Sequence, residues 1–460
     1  MLKYLKISVE KSNFKVILNA NAIQQRGVVM DRNLFETILV TDEEFGVFAT
    51  EIAEQYPDLV RLSDIGKSQD GRPIRLLTVT EFASGENKPG LFIQGTIHSK
   101  ELSGTLAALD IARRLAADHT PGGILSKAVF YIMPRCNPDG AERMVQLPGD
   151  ERSSWGDYTG TPNSIERCDL DGDGLSTTML IESPEGELCF SERHRLCLVH
   201  RTPESKGPFY KHMPEGILHN FDPATVPNWP LPAREYLDWN RNWPGRWSSE
   251  QFGAGSAPLS VPEVKLQHDW LMAHPNIKAA IALHNGYGSL MFPPMREDDM
   301  AYAKGLGDWG EKLIGYPALY GDILAASDSK KVSLGMFADY CYSELNILEV
   351  TVELGTRENS AGADSRELFK REDAYTAPWE VVEQQDAHPE LPRCIFEWKE
   401  FEHPQLGKVL LGGSCPVLFA SPLMEHLEKV SANVYKFTLG FAEDFLQGKG
   451  VGRAKELGGK

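Results

Sequence analysis

The chain has 460 residues, 42% hydrophobic and 24% charged, with a formal net charge of -18. That length makes two or three domains, or one large α/β domain with insertions. The acidic balance argues against nucleic acid and against anionic membranes as partners, since both call for a basic surface.

The seven cysteines are scattered and form no Cys-x-x-Cys, which predicts reduced thiols. The first residues have neither a long apolar core nor a small-residue cleavage site, and no stretch reaches the length of a membrane span. The expected location is the cytoplasm.

Residues 1–40 read as an N-terminal extension with strands near 5–9 and 15–18. Thr41-Asp-Glu-Glu44 is a capping box and predicts a helix to about Gln55. Strands are expected at 60–65 and 74–79, turned by Asp70-Gly71, then at 91–94 and 128–133, with a helix over 102–117. Residues 141–235 break the rhythm. They are rich in Pro, Gly and charge, and carry strand patterns only near 178–181 and 196–200. A stretch this irregular is expected to be an insertion or lid. The alternation resumes with a helix over 261–273, a strand at 279–283, a helix over 298–314 and a strand at 348–353. Residues 388–447 read as a C-terminal elaboration, with a Trp- and Gly-containing patch at 396–413 and a last helix over 422–446, and 448–460 as a tail without regular structure. The expected fold class is therefore α/β, with a mixed sheet, helices on both faces and a long loop/β insertion.

His98-Ser-Lys-Glu101 follows an apolar strand and precedes an apolar-periodic helix. An imidazole and a carboxylate at that spacing can point to one spot and hold a metal if a third ligand arrives. The same pattern also suits an ordinary helix N-terminus with an acidic residue favoured by the dipole. His284 closes the apolar strand 279–283, where open α/β sheets bind their ligands. Glu353 stands within Val350-Thr-Val-Glu-Leu-Gly355. It is either an edge carboxylate facing solvent or a general base held in an apolar strand.

Taken in order, these pieces resemble the zinc carboxypeptidase family that includes the pancreatic enzymes. His98-x-x-Glu101, Asn137-Pro-Asp-Gly140, Asp238-Trp-Asn-Arg-Asn-Trp-Pro244, His284, Asp339-Tyr-Cys-Tyr342 and Thr351-Val-Glu-Leu-Gly355 follow the family's sequence of motifs. The resemblance implies a mainly parallel sheet within a catalytic domain over 41–447, and one Zn2+ held by His98, Glu101 and His284. It implies Glu353 as general base, Asn240 and Arg241 on the substrate's terminal carboxylate, and Tyr342, rather than Tyr340, closing over the bound residue. Arg152 has the offset of the arginine that stabilises the oxyanion, with Arg143 and Arg167 as weaker alternatives.

Asp169-Leu-Asp-Gly-Asp-Gly174 matches the first half of an EF-hand loop, but its twelfth position is Leu180. A tight turn is favoured there over a Ca2+ site. Together with His403-Pro-Gln-Leu-Gly407 and Leu411-Gly-Gly413, this segment resembles a bacterial branch of the family. The expected function is a metallocarboxypeptidase acting on a peptide or peptide-like small substrate with a free C-terminal carboxylate. The alternatives are a zinc amidase for N-acyl amino acids or cell-wall peptides, and a non-catalytic binding protein on the same scaffold.

Overall fold

The structure, a computed structural model, describes residues 33–153, 162–226, 237–321, 333–371 and 378–457. The strands expected near 5–9 and 15–18 lie outside them. Residues 34–460 form one compact unit. Its boundary falls before the expected position at 41, because Leu34, Phe35, Ile38 and Val40 are buried in the main core. The buried Arg135 guanidinium also donates from Nη2 to the Val40 carbonyl at 2.8 Å. The helix Asp42–Gln55 begins at the expected capping box: Thr41 Oγ1 accepts from the Glu44 N–H, and the Glu44 carboxylate accepts from the Thr41 N–H.

In chain order, β1 (Val60–Lys67), β2 (Pro73–Val79), β3 (Gly90–Gly95) and β4 (Val129–Met133) come first. Short strands follow in the irregular region: β5 (Ser164–Arg167), β6 (Thr178–Glu182), β7 (Leu188–Phe190), β8 (Leu198–His200), β9 (Tyr210–Pro214) and β10 (Gly216–His219). Then come β11 (Ile277–His284), β12 (Ser289–Phe292), β13 (Ala318–Tyr320) and β14 (Leu348–Glu353), and a late hairpin of β15 (Ile395–His403) and β16 (Gly407–Ser414).

The main sheet is eight-stranded, in the order β1-β2-β4-β3-β11-β14-β12-β13. Its middle, β4-β3-β11-β14, is parallel, and antiparallel pairs flank it. The apolar run 91–93 makes β3 buried on both faces, as a central parallel strand must be. Leu91 and Ile93 join the core that contains helices Ser103–Ala117 and Met424–Leu446, while Phe92 joins the opposite core with Trp243, Phe337 and Tyr340. Among the described residues no helix is long and apolar enough to cross a membrane.

A second, six-stranded sheet has the order β15-β16-β6-β9-β7-β8. It unites strands of the insertion with the C-terminal hairpin, pairing Leu180 with Leu410 and Met179 with Leu411. The expected division into an insertion at 141–235 and a separate elaboration at 388–447 is thus redrawn. The hairpin completes the insertion's sheet, whereas helix Met424–Leu446 belongs to the main core, where Ser431 donates to the buried Asp110 carboxylate at 2.8 Å. The tail also differs from expectation. Residues Gly452–Leu457 form a short 3-10 helix, with Ala454 buried and the Arg453 N–H donating to the Asn346 carbonyl.

Candidate metal centre and active site

The centre forms where strand ends meet the first turn of a helix. After β3 the chain turns through Thr96, whose φ of 57° is left-handed and costly for a β-branched residue, roughly 1–3 kcal/mol. Thr96 Oγ1 donates to the Glu101 carbonyl at 3.0 Å and holds that turn. Two glycines then let the helix sit directly on the sheet. A Cβ on Gly95 would lie 2.5 Å from the Gly104 carbonyl oxygen, and one on Gly104 would lie 2.8 Å from that of Leu283. This contact brings His98 and Glu101 to His284 at the end of β11.

The three side chains are buried together. His98 Nδ1 is 2.8 Å from Glu101 Oε1, and His284 Nδ1 is 2.8 Å from Glu101 Oε2. Their ligand atoms all lie within 4.8 Å of one another. Two imidazoles and a carboxylate, with a position left for water or substrate, are the donor set that catalytic zinc takes. Burial works to raise the Glu101 pKa, but the imidazoles of His98 and His284 outweigh it and hold the carboxyl well below its usual range. The group is thus kept as the anion that a cation needs.

Asp238 is the functional residue that the sequence reading passed over, although it opens the motif quoted for Asn240 and Arg241. Its Oδ1 lies 3.2 Å from His98 Nε2 and accepts the Asn240 N–H at 2.9 Å, and its Oδ2 accepts from Arg152 Nε at 3.0 Å. Burial would raise its pKa, and Arg152, His98 and Arg241 hold it well below normal instead. A carboxylate behind an imidazole fixes the ring's orientation and tautomer. The signal was available: an acidic residue at the cap of a short turn, two positions before a polar pair.

Glu353 ends β14 in register with His284 on β11. Its side chain is partly accessible, while Oε2 is buried with no hydrogen-bond partner among the described residues. Burial raises its pKa to about 7, against the pull of His284 and Arg152 and with the push of Glu101. A Cβ on Gly286 would come within 2.7 Å of Oε2, so a side chain there would displace the carboxylate.

Asn137-Pro-Asp-Gly140 acts here as a brace. Asn137 Oδ1 caps its own helix at the Gly140 N–H, and Nδ2 donates to the carbonyls of Ser153 and Ile97. The Ser99 N–H donates to the Arg152 carbonyl at 2.7 Å. Together these contacts hold the loop that delivers Arg152, whose Nη1 lies 3.3 Å from Glu101 Oε1. The alternatives Arg143 and Arg167 are turned away, toward Glu151.

Asn240 and Arg241 form the short turn after Asp238. Asn240 Oδ1 accepts the Phe337 N–H, and Arg241 Nη1 lies 3.9 Å from Asp238 Oδ2. The structure does not bring Tyr342 to this group. Its hydroxyl donates to Asp299 at 2.9 Å and accepts the Arg296 N–H at 2.8 Å, because helix Phe337–Ser343 turns that face toward helix Glu297–Ile314. Tyr340 is buried in a stack on Trp243.

One other metal-spaced group occurs among the described residues, Asp169, Asp171 and Asp173, all exposed. The Asp169 carboxylate is taken up by the N–H groups of Gly172, Asp173 and Gly174, and Lys399 Nζ lies 3.0 Å from Asp171 and 3.6 Å from Asp173. This is the hydrogen-bonded turn expected of such residues.

Comparison with known proteins identifies a family. The family model described as zinc carboxypeptidase matches residues 47–375. Carboxypeptidase B of Astacus astacus is 34% identical over 99 residues, covering 21% of this chain and 32% of its own length. Carboxypeptidase A1 of Mus musculus is 25% identical over 355 residues, covering 73% of this chain and 66% of its own. The chain thus spans about a third of the first relative and just under two thirds of the second. Among solved structures, carboxypeptidase A from Helicoverpa armigera aligns at 17% identity with a TM-score of 0.48, covering 78% of this chain and 76% of that one.

Proposed function

Because the chain belongs to the zinc carboxypeptidase family, we propose that it is a metallocarboxypeptidase, removing the C-terminal residue of a peptide by hydrolysis of its last amide bond. The observation that carries this reading is the convergence of His98, Glu101 and His284 beside Glu353, whose Oε2 is buried without a hydrogen-bond partner among the described residues.

A zinc ion held by the three ligands would supply Lewis acidity, making water nucleophilic near neutral pH and polarising the scissile carbonyl. Glu353 takes a proton from the attacking water onto its carboxylate and passes it to the leaving amine nitrogen. A carboxyl with a pKa raised to about 7 suits both halves of that transfer. A cation at the ligands would draw the value down. Activity should therefore fall on the acid side of neutrality, as Glu353 becomes protonated. The Arg152 guanidinium donates N–H bonds to the carbonyl oxygen as negative charge develops there. Asn240 and Arg241 take the terminal carboxylate, a planar anion that suits an arginine fork. Asp238 keeps His98 and Arg152 in place.

A zinc amidase for N-acyl amino acids or cell-wall peptides would use the same groups. One observation favours it: residues of the second sheet stand over the cavity beside the metal ligands.

The test is release of free amino acids from a peptide library, with and without chelator. Glu353→Gln should lower kcat by roughly 10²–10⁴-fold while zinc content stays at the wild-type level. Undiminished turnover in that variant would remove Glu353 from its role.

A further inference from the structure

Two backbone segments leave the metal centre from adjacent strands. Asn285 to Gly288 follow His284 at the end of β11, and Leu354 to Thr356 follow Glu353 at the end of β14. Leu354 ties them together, since its N–H donates to the His284 carbonyl at 2.8 Å. Its own carbonyl lies 3.4 Å from the Tyr316 hydroxyl.

Tyr316 is placed there by the chain on either side of it. The helix Glu297–Ile314 ends at Gly315, whose φ of 88° is the left-handed stop that suits glycine. The Pro317 carbonyl then accepts the Leu290 N–H at 2.9 Å and fixes this segment against β12. The buried ring of Tyr316 meets both departing segments. A Cβ on Gly288 would strike the ring, and one on Gly355 would lie 2.5 Å from the hydroxyl. The tyrosine fits because neither position carries a side chain.

The hydroxyl has a second neighbour, His426 Nε2 at 2.7 Å, on helix Met424–Leu446. A hydroxyl carries one proton, and a carbonyl can only accept. Both contacts are made at once when His426 Nε2–H donates to the hydroxyl and the hydroxyl donates to Leu354. Burial pushes the phenol pKa up, so Tyr316 keeps that proton. Burial and Lys429 push the imidazole pKa down, so His426 is neutral at neutral pH. The chain leading into that helix is tied to the same segments. Asn285 Nδ2 donates to the Ala420 carbonyl, and the Leu423 N–H donates to Ser360 Oγ, each at 2.9 Å. Asn359 adds a second brace, its Oδ1 accepting the N–H groups of Gly288 and Thr356.

These contacts act on backbone. That matters at Glu353, because its Oε2 has no hydrogen-bond partner among the described residues to aim it. The backbone that carries the carboxylate must then set its direction. We propose that Tyr316 and His426 are positioning residues for Glu353: the Tyr316 hydroxyl, held by His426, fixes Leu354 and with it the direction in which the general base presents its carboxylate. The inference rests on the carboxypeptidase reading above and adds two residues outside the motifs quoted for the site.

The experiment uses the zinc-loaded full chain and the best substrate from the peptide library. Steady-state kinetics are read beside zinc content, thermal melting and deuterium exchange. Tyr316→Phe keeps the ring between the glycines and removes only the oxygen. It should lower kcat by roughly 10–100-fold and leave KM within about twofold. Zinc content should stay at the wild-type level, and exchange over residues 353–356 should quicken. His426→Ala should give a smaller loss of the same kind. His426→Gln keeps a side-chain N–H donor and should recover most of it. The double variant of Tyr316→Phe and His426→Ala should be no slower than Tyr316→Phe alone, because both act through one hydroxyl. Tyr302→Phe is the control for a purely structural role. It removes another tyrosine hydroxyl from the helix Glu297–Ile314, one bonded to Asp444 at 3.1 Å, and should leave kcat unchanged.

An unchanged kcat or unchanged exchange in Tyr316→Phe would overturn the inference. So would a loss of kcat that Tyr302→Phe matches, or one accompanied by loss of zinc. Additive losses in the double variant would overturn the link between His426 and Tyr316. Each of these outcomes leaves the carboxypeptidase reading standing. A wild type that holds zinc and releases no amino acid from any peptide would overturn that reading, and this inference with it.

Discussion

Among the described residues, two places bring acidic or imidazole groups to metal-ligand spacing, and they differ in what surrounds them. At His98, Glu101 and His284 the groups are buried, and a further carboxylate, Asp238, stands behind one imidazole. At Asp169, Asp171 and Asp173 the groups are exposed, one carboxylate is taken up by its own turn, and a lysine neutralises the others. Spacing is common to both. Burial, and partners that leave the donor atoms pointing at one another, belong to only one. A desolvated carboxylate between two imidazoles has much to gain from a cation, whereas an exposed carboxylate already paired with an ammonium gains little.

The largest expected effect concerns a buried carboxyl that has no such partners. Glu349 lies four positions before Glu353 on β14 and is fully buried. Burial raises its pKa from 4.5 to about 8, against the hydrogen bond donated by Thr351. With the folded-state value raised, the native chain binds the proton more tightly than the unfolded chain. Stability is then complete below about 4.5 and is lost as pH rises toward 8. Glu349→Gln should flatten that decline, recovering on the order of 3 kcal/mol near pH 8. Denaturant unfolding at a series of pH values checks this, and parallel profiles for the two proteins would contradict it.

The next effect lies behind the ligands. Asp238→Asn keeps the shape and removes the charge that His98 and Arg152 share. It should weaken zinc binding by roughly 10–100-fold, read by competition with a chelating dye. An unchanged affinity would mean that burial alone sets the centre apart from the loop.

Much of the centre was legible because each piece is local: an imidazole and a carboxylate at a strand end, a second histidine closing an apolar strand, a glutamate in a valine-rich one. Six of the main sheet's eight strands were legible for the same reason, whereas β12 and β13, four and three residues long, are too short to show a period. The second sheet was not legible. Its β6 pairs with β16, more than two hundred residues later, and alternation within a short strand does not say which strand will pair with it. The cavity wall contributed by Leu196 and Trp398 was hidden with it. Tyr342 stands against Asp299 and not beside Asn240 and Arg241, because a motif gives a residue's position in the chain, while the packing of its helix decides where the side chain goes. Asp238 was visible as a cap and unread as a partner of His98, since the 140 positions between them close only in the fold.

The smallest expected effect is at the loop, and it completes the most direct measurement: zinc and calcium per chain after exhaustive dialysis, for the wild type, for Glu101→Ala, and for a variant with Asp169→Asn, Asp171→Asn and Asp173→Asn. The account predicts about one zinc and no calcium in the wild type, loss of the zinc in Glu101→Ala, and an unchanged zinc content with a near-unchanged melting temperature in the loop variant. A wild type that holds no zinc after reconstitution, or one that loses its metal with the loop and keeps it without Glu101, would contradict the account.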